Sequence, residues 1–145
     1  MSKAVPAGGG RFWKVCLLTA GVCSGSMALY HYWLPFQYGW VKDIKPSAPN
    51  VAWGALMVNA CFSTLLLFGA ALTVQSAYRW SKRDELTTTC VAGMGLFWLF
   101  NATYQLMVPM PLPARLAFLR WVLVGFAAFV ALLHGAALTA SRKGS

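Results

Sequence analysis

The sequence predicts an all-α integral membrane protein that folds as an up-down-up-down four-helix transmembrane bundle. Of its 145 residues, 59% are hydrophobic and only 10% are charged, whereas soluble domains are about 25% charged. Four apolar runs, each long enough to cross a hydrocarbon core of about 30 Å, alternate with short charged or proline-containing segments. We therefore predict one membrane domain, 1–145, with spans at about 13–34, 51–79, 84–108 and 114–139.

The first apolar run follows the basic residues Arg11 and Lys14. The small residues around Ala28 resemble a signal-peptide cleavage site, but the apolar character continues for several residues past this point. We therefore expect a retained membrane helix rather than a cleaved signal. Gly21 and Gly25 form a G-x-x-x-G motif, which lets a second helix approach closely, either within this chain or in another subunit.

An aromatic segment with three prolines connects the first two spans. Pro35, Pro46 and Pro49 oppose a continuous helix, which predicts that the first helix ends before Pro35. Tryptophan and tyrosine are typical of the membrane–water interface, so we expect this connection to lie there. The predicted aromatic belt consists of Tyr30, Tyr32, Trp33, Phe36, Tyr38, Trp40 and Trp53.

A highly charged turn joins the second and third spans. Five of the seven residues from Arg79 to Glu85 are charged, so this segment cannot remain in lipid. Ser81 and Asp84 have the S-x-x-D spacing of a capping box, which predicts that the third helix begins near Lys82. A turn this short makes the second and third helices antiparallel neighbours.

Prolines also end the third span. Pro109, Pro111 and Pro113 follow Val108 directly, and a helix cannot continue through them. The fourth span begins at about Ala114. A second predicted helix-packing surface consists of small residues four positions apart in this span, namely Ala127, Ala131 and Gly135.

The distribution of basic residues predicts the orientation of the spans. Of the 12 lysines and arginines, eight lie at one end of the predicted bundle and four at the other. The positive-inside rule assigns the larger group to the cytoplasm, which gives an N-in, C-in topology in a plasma membrane or bacterial inner membrane. The larger group is Lys3, Arg11, Lys14, Arg79, Lys82, Arg83, Arg142 and Lys143, and the smaller is Lys42, Lys45, Arg115 and Arg120.

Polar side chains are predicted to share one depth in the outer half of the bundle. At a rise of 1.5 Å per residue, Asn59, Asn101 and Arg120 lie about 13, 10 and 9 Å below the outer ends of their helices. Two interpretations are open. The layer forms a pocket for an anionic head group, a carboxylate or a quinone-like carbonyl, or the amides only hydrogen-bond between helices while Arg120 extends to the interface. The predicted ligand-binding residues are Asn59, Asn101, Gln105, Arg120, His31 and Tyr104.

Other site chemistries have weaker support. Thioether ligands suit Cu(I), so Met107 and Met110 with His31 form an alternative copper site, although methionine is also a common packing residue. The four cysteines lie at different predicted depths, which argues against a disulfide framework or a zinc site. All three acidic residues are predicted at the surface, so a proton relay or paired-carboxylate catalysis lacks its carboxylate. An intramembrane enzyme would have to use His31, Arg120 and the amides.

The leading functional hypothesis is a non-catalytic accessory or structural subunit that docks within the membrane, with another protein or with copies of itself. The small-residue surfaces and the weak catalytic signals favour it. Membrane lipids surround the chain, and the sequence identifies no cofactor. The formal charge of +9 lies at the ends of the spans, where it anchors helices, so nucleic-acid binding is not expected. The alternatives are a ligand-binding or transport protein, a small intramembrane enzyme and a copper-handling protein.

Overall fold

The computed structural model describes residues 9–43, 48–79, 84–109 and 114–142 of the chain. Within these ranges the backbone is helical apart from turns and helix ends, which confirms the predicted all-α fold. A short 3₁₀ turn, Ala114–Leu116, precedes the last helix. The α-helices are α1 (Gly9–Gln37), α2 (Trp40–Asp43), α3 (Pro49–Arg79), α4 (Glu85–Met107) and α5 (Leu119–Arg142).

Three helical segments of the described chain are long and apolar enough to cross a membrane: Arg11–Gln37, Pro49–Arg79 and Ala114–Ala140. They correspond to the first, second and fourth predicted spans and agree with the prediction of a membrane protein. The helix α4 has 23 residues but does not meet the same criterion. Polar residues such as Asn101 and Gln105 interrupt its apolar run, so the predicted span at 84–108 stays a prediction.

Large apolar side chains cover the outside of the helices. Leu65 on α3 is 71% exposed, Phe100 on α4 is 69% exposed and Leu132 on α5 is 72% exposed. Soluble monomers rarely expose contiguous apolar patches larger than a few hundred Å². A surface of this kind is suited to contact lipid.

The first helix passes through Pro35 and ends at Gln37, so the prediction that it ends before Pro35 is wrong. Proline lacks the N–H that would bond to the carbonyl of His31, four residues earlier. The side chain of Asn59 on α3 supplies a donor instead, because its Nδ2 donates to the His31 carbonyl over 2.8 Å. The helix therefore continues through the proline while this carbonyl keeps a hydrogen bond.

The start of α4 also differs from the prediction. Asp84 is its N-cap, with φ −67° and ψ 154°, and its side chain accepts a hydrogen bond from the Thr87 N–H over 2.7 Å. An aspartate in this position satisfies a free N–H of the first turn. The helix consequently begins at Glu85 and not near Lys82, which, like Ser81, lies outside the described residues.

The helices α1 and α3 form the most extensive helix contact and run in opposite directions. In the middle of α1, a Cβ atom on Gly21 would lie 2.5 Å from Val74 Cγ2 and 3.2 Å from the Ala70 carbonyl oxygen. Closer to the C-terminal end of α1, the hydroxyls of Tyr32 and Thr64 hydrogen-bond over 2.6 Å. The G-x-x-x-G motif of α1 thus packs against α3 of the same chain.

A second antiparallel pair is formed by α4 and α5. A Cβ atom on Gly95 would lie 3.1 Å from the Cβ of His134, and the rings of Trp98 and Phe126 lie 5.6 Å apart. Contacts between α1 and α5 are also extensive, whereas those between α3 and α4 are sparser. The described bundle therefore consists of two hairpins packed side by side.

The second predicted packing surface is divided between the core and an open groove. Ala127 is fully buried, whereas Ala131 and Gly135 line a groove of about 560 Å³ between α4 and α5. A Cβ atom on Gly135 would meet nothing within 4 Å. We call this feature the α4–α5 groove.

The close approach at Gly21 makes this position intolerant of side chains. Gly21→Leu is expected to lower the free energy of unfolding by about 1–3 kcal/mol, because the added side chain collides with α3. Gly93→Leu is the control, since a Cβ atom on Gly93 would meet nothing within 4 Å. Thermal unfolding of both purified variants in one mild detergent measures the difference. Equal midpoints for the two variants would contradict the close packing of α1 on α3.

Candidate functional site

A cavity of about 430 Å³ lies at the end of the bundle where α1 and α4 finish and α5 begins. All four long helices contribute to it, and we call it the end cavity. Its apolar lining includes Met27, Leu34, Phe62, Trp98, Leu123 and Phe126. Its polar lining consists of Tyr30, His31, Asn101, Tyr104 and Gln105.

A chain of aromatic rings forms the floor of the end cavity. Edge-to-face contacts join His31 to Phe62, with ring centroids 4.8 Å apart, and Trp98 to Phe126, with centroids 5.6 Å apart. Phe97 packs against both Phe62 and Trp98 and connects the two pairs. Such geometries are favourable for aromatic rings. The chain of rings joins α1, α3, α4 and α5 at one level.

Buried hydrogen bonds hold the bundle together below this floor. Trp98 Nε1 donates to Ser24 Oγ on α1 over 2.9 Å, and both residues are buried. Further along the bundle, His134 Nδ1 donates to the Val130 carbonyl over 2.8 Å, and its Nε2 lies 3.4 Å from the Thr73 hydroxyl. Polar groups in a hydrocarbon environment need such internal partners. The hydrogen bond from Trp98 to Ser24 therefore fixes the floor of the end cavity to α1.

The amide of Asn59 determines which nitrogen of His31 carries the proton. Because Asn59 Nδ2 donates to the His31 carbonyl, its Oδ1 is the atom that faces the ring, 3.4 Å from His31 Nδ1. An amide oxygen only accepts hydrogen bonds, so Nδ1 is the donor, and in the neutral ring Nε2 is then an acceptor. The backbone interaction with Asn59 thus orients a side chain that lines the end cavity.

Two amides on α4 lie one turn apart and line the same cavity. Gln105 Nε2 donates a hydrogen bond to Asn101 Oδ1. Among the described residues, the NH₂ group of Asn101 and the carbonyl of Gln105 have no other partner. Whichever amide donates to the other, the pair retains one donor group and one acceptor for a ligand.

The structure brings only some of the predicted ligand-binding residues together. Asn59 lies on the far side of His31, in a shallower pocket that it shares with Phe62. Its hydrogen bonds to His31 make it a supporting residue. The predicted residues that line the end cavity are His31, Asn101, Tyr104 and Gln105.

Arg120 lies outside the end cavity. It is exposed and lines a separate groove of about 200 Å³ that also includes Gln105. Its guanidinium lies 5.1 Å from the ring centroid of Trp121. Gln105 and Pro109 line both this groove and the end cavity, so the two adjoin, but Arg120 is not among the lining residues of the cavity.

The thioether residues of the copper hypothesis are dispersed. Met107 is 78% exposed and is not among the described residues that line the end cavity with His31. Met110 lies outside the described residues. The described part of the chain also contains no group of three or more His, Cys, Asp or Glu side chains that could hold a metal ion. The copper site stays a prediction.

Comparison of the chain with protein-family models, curated proteins and solved structures finds no match. The function is therefore inferred from the geometry of the site.

The aromatic floor was missed by the sequence analysis. One signal for it was available, because Trp98 lies in the middle of a predicted span, whereas tryptophan in membrane proteins prefers the interface. A tryptophan at this depth needs a hydrogen-bond partner, which Ser24 provides. Phe62 and Phe126 carry no comparable signal, since phenylalanine is common throughout apolar helices.

The hydrogen bond between Asn59 and the His31 carbonyl can be tested through the proline that makes it necessary. Asn59→Leu is expected to lower the free energy of unfolding by about 1–3 kcal/mol, because a partly buried carbonyl loses its donor. Pro35→Ala restores a backbone N–H four residues after His31, so it should recover much of this loss when combined with Asn59→Leu. Thermal unfolding of the two single variants and the double variant measures the coupling. If Pro35→Ala changes stability equally in both backgrounds, Asn59 does not compensate for the proline.

Proposed function

We propose that this chain is a four-span membrane protein, with both termini in the cytoplasm, that binds a small amphipathic molecule in the end cavity. The cavity itself carries the proposal, because it combines an aromatic floor with five hydrogen-bonding side chains. Pockets for small molecules are typically 300–1,000 Å³ and are apolar with a few placed polar groups. The observed volume of about 430 Å³ falls in this range.

The hydrogen bonds of the two amides argue against the view that the polar layer only joins helices. If the amides served packing alone, Asn101 and Gln105 would be expected to bond to groups on neighbouring helices. Instead they bond to each other on α4 and line the open volume.

The lining favours binding over catalysis. The described residues around the end cavity include no carboxylate, cysteine or serine that would act as a nucleophile or carry protons alongside His31. His31 and Arg120, which an intramembrane enzyme would have to combine, line different cavities. A ligand-binding or transport protein therefore fits the geometry better than an enzyme.

Several features support four crossings with the end cavity in the outer half. The 23 residues of α4 span about 35 Å, enough for a hydrocarbon core of about 30 Å. The Lys14 ammonium lies 4.6 Å from the ring centroid of Tyr78, which brings basic ends of α1 and α3 to one side. Trp33 and Trp53 are exposed near the opposite ends of the same helices, as in an interfacial belt. The excess of basic residues on the Lys14 side favours the cytoplasm there, in a plasma or bacterial inner membrane.

A membrane-embedded accessory subunit is the second candidate, and the α4–α5 groove favours it. Its lining is almost entirely apolar, and the open space at Gly135 lets another helix approach closely. The G-x-x-x-G motif adds no support, since α3 already occupies it. The groove is thus the surface of the described bundle at which a partner helix or a second copy would pack.

The fourth crossing can be tested with single cysteines on either side of α4. In a variant whose four native cysteines are replaced by alanine, Ser81→Cys should be protected from a membrane-impermeant maleimide in intact cells, and Leu112→Cys should react. Permeabilisation should make both reactive. Labelling of both cysteines from one side would mean that 84–108 does not cross the membrane and would refute the proposed topology.

The two candidate functions predict different species in native mass spectrometry from lipid nanodiscs. Ligand binding predicts a monomer that retains a small molecule, which Asn101→Leu should lose because it removes a polar group of the end cavity. Gly135→Leu should leave this molecule bound, since it fills only the α4–α5 groove. A second polypeptide that is lost in Gly135→Leu, together with an empty cavity, would favour the accessory subunit instead.

A further inference from the structure

We infer that the end cavity takes an uncharged, hydroxyl-bearing aromatic ring with an apolar tail, the chemical class of phenolic lipids and quinols. This inference rests on the proposed ligand-binding function and names the class of ligand. Three properties of the cavity lead to it: the charge of its lining, the polarity of its hydrogen-bonding groups and the shape of its floor.

The lining offers no charge to pair with an ionic ligand. None of the described residues that line the end cavity carries a formal charge, and Arg120 lines an adjoining groove that shares Gln105 with the cavity. An ion that leaves water without an opposite charge pays a large desolvation penalty. The anionic head group and the carboxylate considered from the sequence therefore fit the cavity poorly.

The hydrogen-bonding groups call for a ligand that both donates and accepts. His31 Nε2 is an acceptor, because Nδ1 is the donor to Asn59. The amide pair adds one carbonyl acceptor and one NH₂ donor. Tyr30 and Tyr104 add hydroxyls, which can donate or accept. A carbonyl compound has no hydrogen to donate and would leave the acceptors of His31 and the amide pair without a partner. A hydroxyl donates one hydrogen bond and accepts others, so it matches the whole set.

The floor suits a flat ring. Trp98 and Phe126 meet at an interplanar angle of 73°, and Phe62 presents its ring next to that of His31 at 66°. A further aromatic ring placed against these rings gains offset-stacked or edge-to-face contacts, each typically worth more than its buried area alone. Met27, Leu34 and Leu123 supply apolar surface for a tail.

A matched series of probes tests the inference on the full-length protein in phosphatidylcholine nanodiscs. The probes are 4-decylphenol, decylbenzene, which lacks the hydroxyl, and 4-decylbenzoate, which is an anion at pH 8. They share one ring and one tail, so they differ only in the polar group. Thermal unfolding at increasing probe concentration gives the apparent affinity. The phenol should raise the unfolding temperature most and bind about tenfold more tightly than decylbenzene, as expected for one hydrogen bond.

Variants show whether the phenol binds in the end cavity. Asn101→Leu and Gln105→Leu should each weaken 4-decylphenol about tenfold and leave decylbenzene nearly unchanged. The second variant serves if the first does not fold. Thr103→Val is the matched control, because Thr103 lies on the exposed face of α4 and its hydroxyl bonds to its own helix. It should bind the phenol as the wild type does.

The outcomes separate this inference from the proposed function. If 4-decylbenzoate stabilises the protein most, and loses that effect in Asn101→Leu, the cavity binds ligands but the inferred class is wrong. Equal effects of the phenol and decylbenzene, or a phenol effect that persists in both amide variants, also overturn the inference. If no probe stabilises the protein, and native mass spectrometry finds no bound molecule, the proposed ligand-binding function fails as well.

Discussion

The hydrogen bond from Asn59 to the carbonyl of His31 is the interaction on which the cavity end of the bundle depends. Pro35 removes the backbone donor for this carbonyl. The replacement donor lies on α3, so the hydrogen bond that compensates for the proline joins the end of α1 to α3. The same amide then fixes the tautomer of His31 and holds its ring against Phe62. The missing backbone donor at Pro35 is thus linked to a fixed orientation of the His31 side chain at the end cavity.

The distribution of residue sizes along the bundle helps to explain where the end cavity lies. Below the floor, small residues such as Gly21, Ala70 and Gly95 allow helix backbones to approach closely. At the floor, Phe97 and Trp98 occupy the space between helices and meet other rings at 5.5 to 5.9 Å. Above these large side chains, the end cavity opens between α1, α4 and α5. The rings therefore form the boundary between the close contacts of α1 with α3 and the end cavity.

The sequence predicted the helical fold and three of the apolar segments, but it did not predict which way the polar residues face. Depth follows from the rise per residue, which is constant. In soluble proteins, the direction in which a helix side chain faces can be read from the hydrophobic periodicity of the sequence. This periodicity is weaker in membrane helices, because lipid is as apolar as the protein core. Asn101 and Arg120 were therefore assigned to one pocket, although the structure separates them into two. The passage of α1 through Pro35 was also missed, since the compensating Asn59 is close only in space.

The polar residues of α4 and the position of the end cavity are related. A helix surrounded by lipid must be apolar on all sides, whereas one that contacts three other helices and a cavity can carry polar residues on its inner side. Asn101 and Gln105 reduce the apolarity of α4, and the same two residues provide the donor and acceptor groups of the cavity. Threonines in its first turns add to this effect, and Thr88 satisfies its hydroxyl through the Asp84 carbonyl. The polar residues that interrupt the apolar run of α4 are thus the ones that line the end cavity.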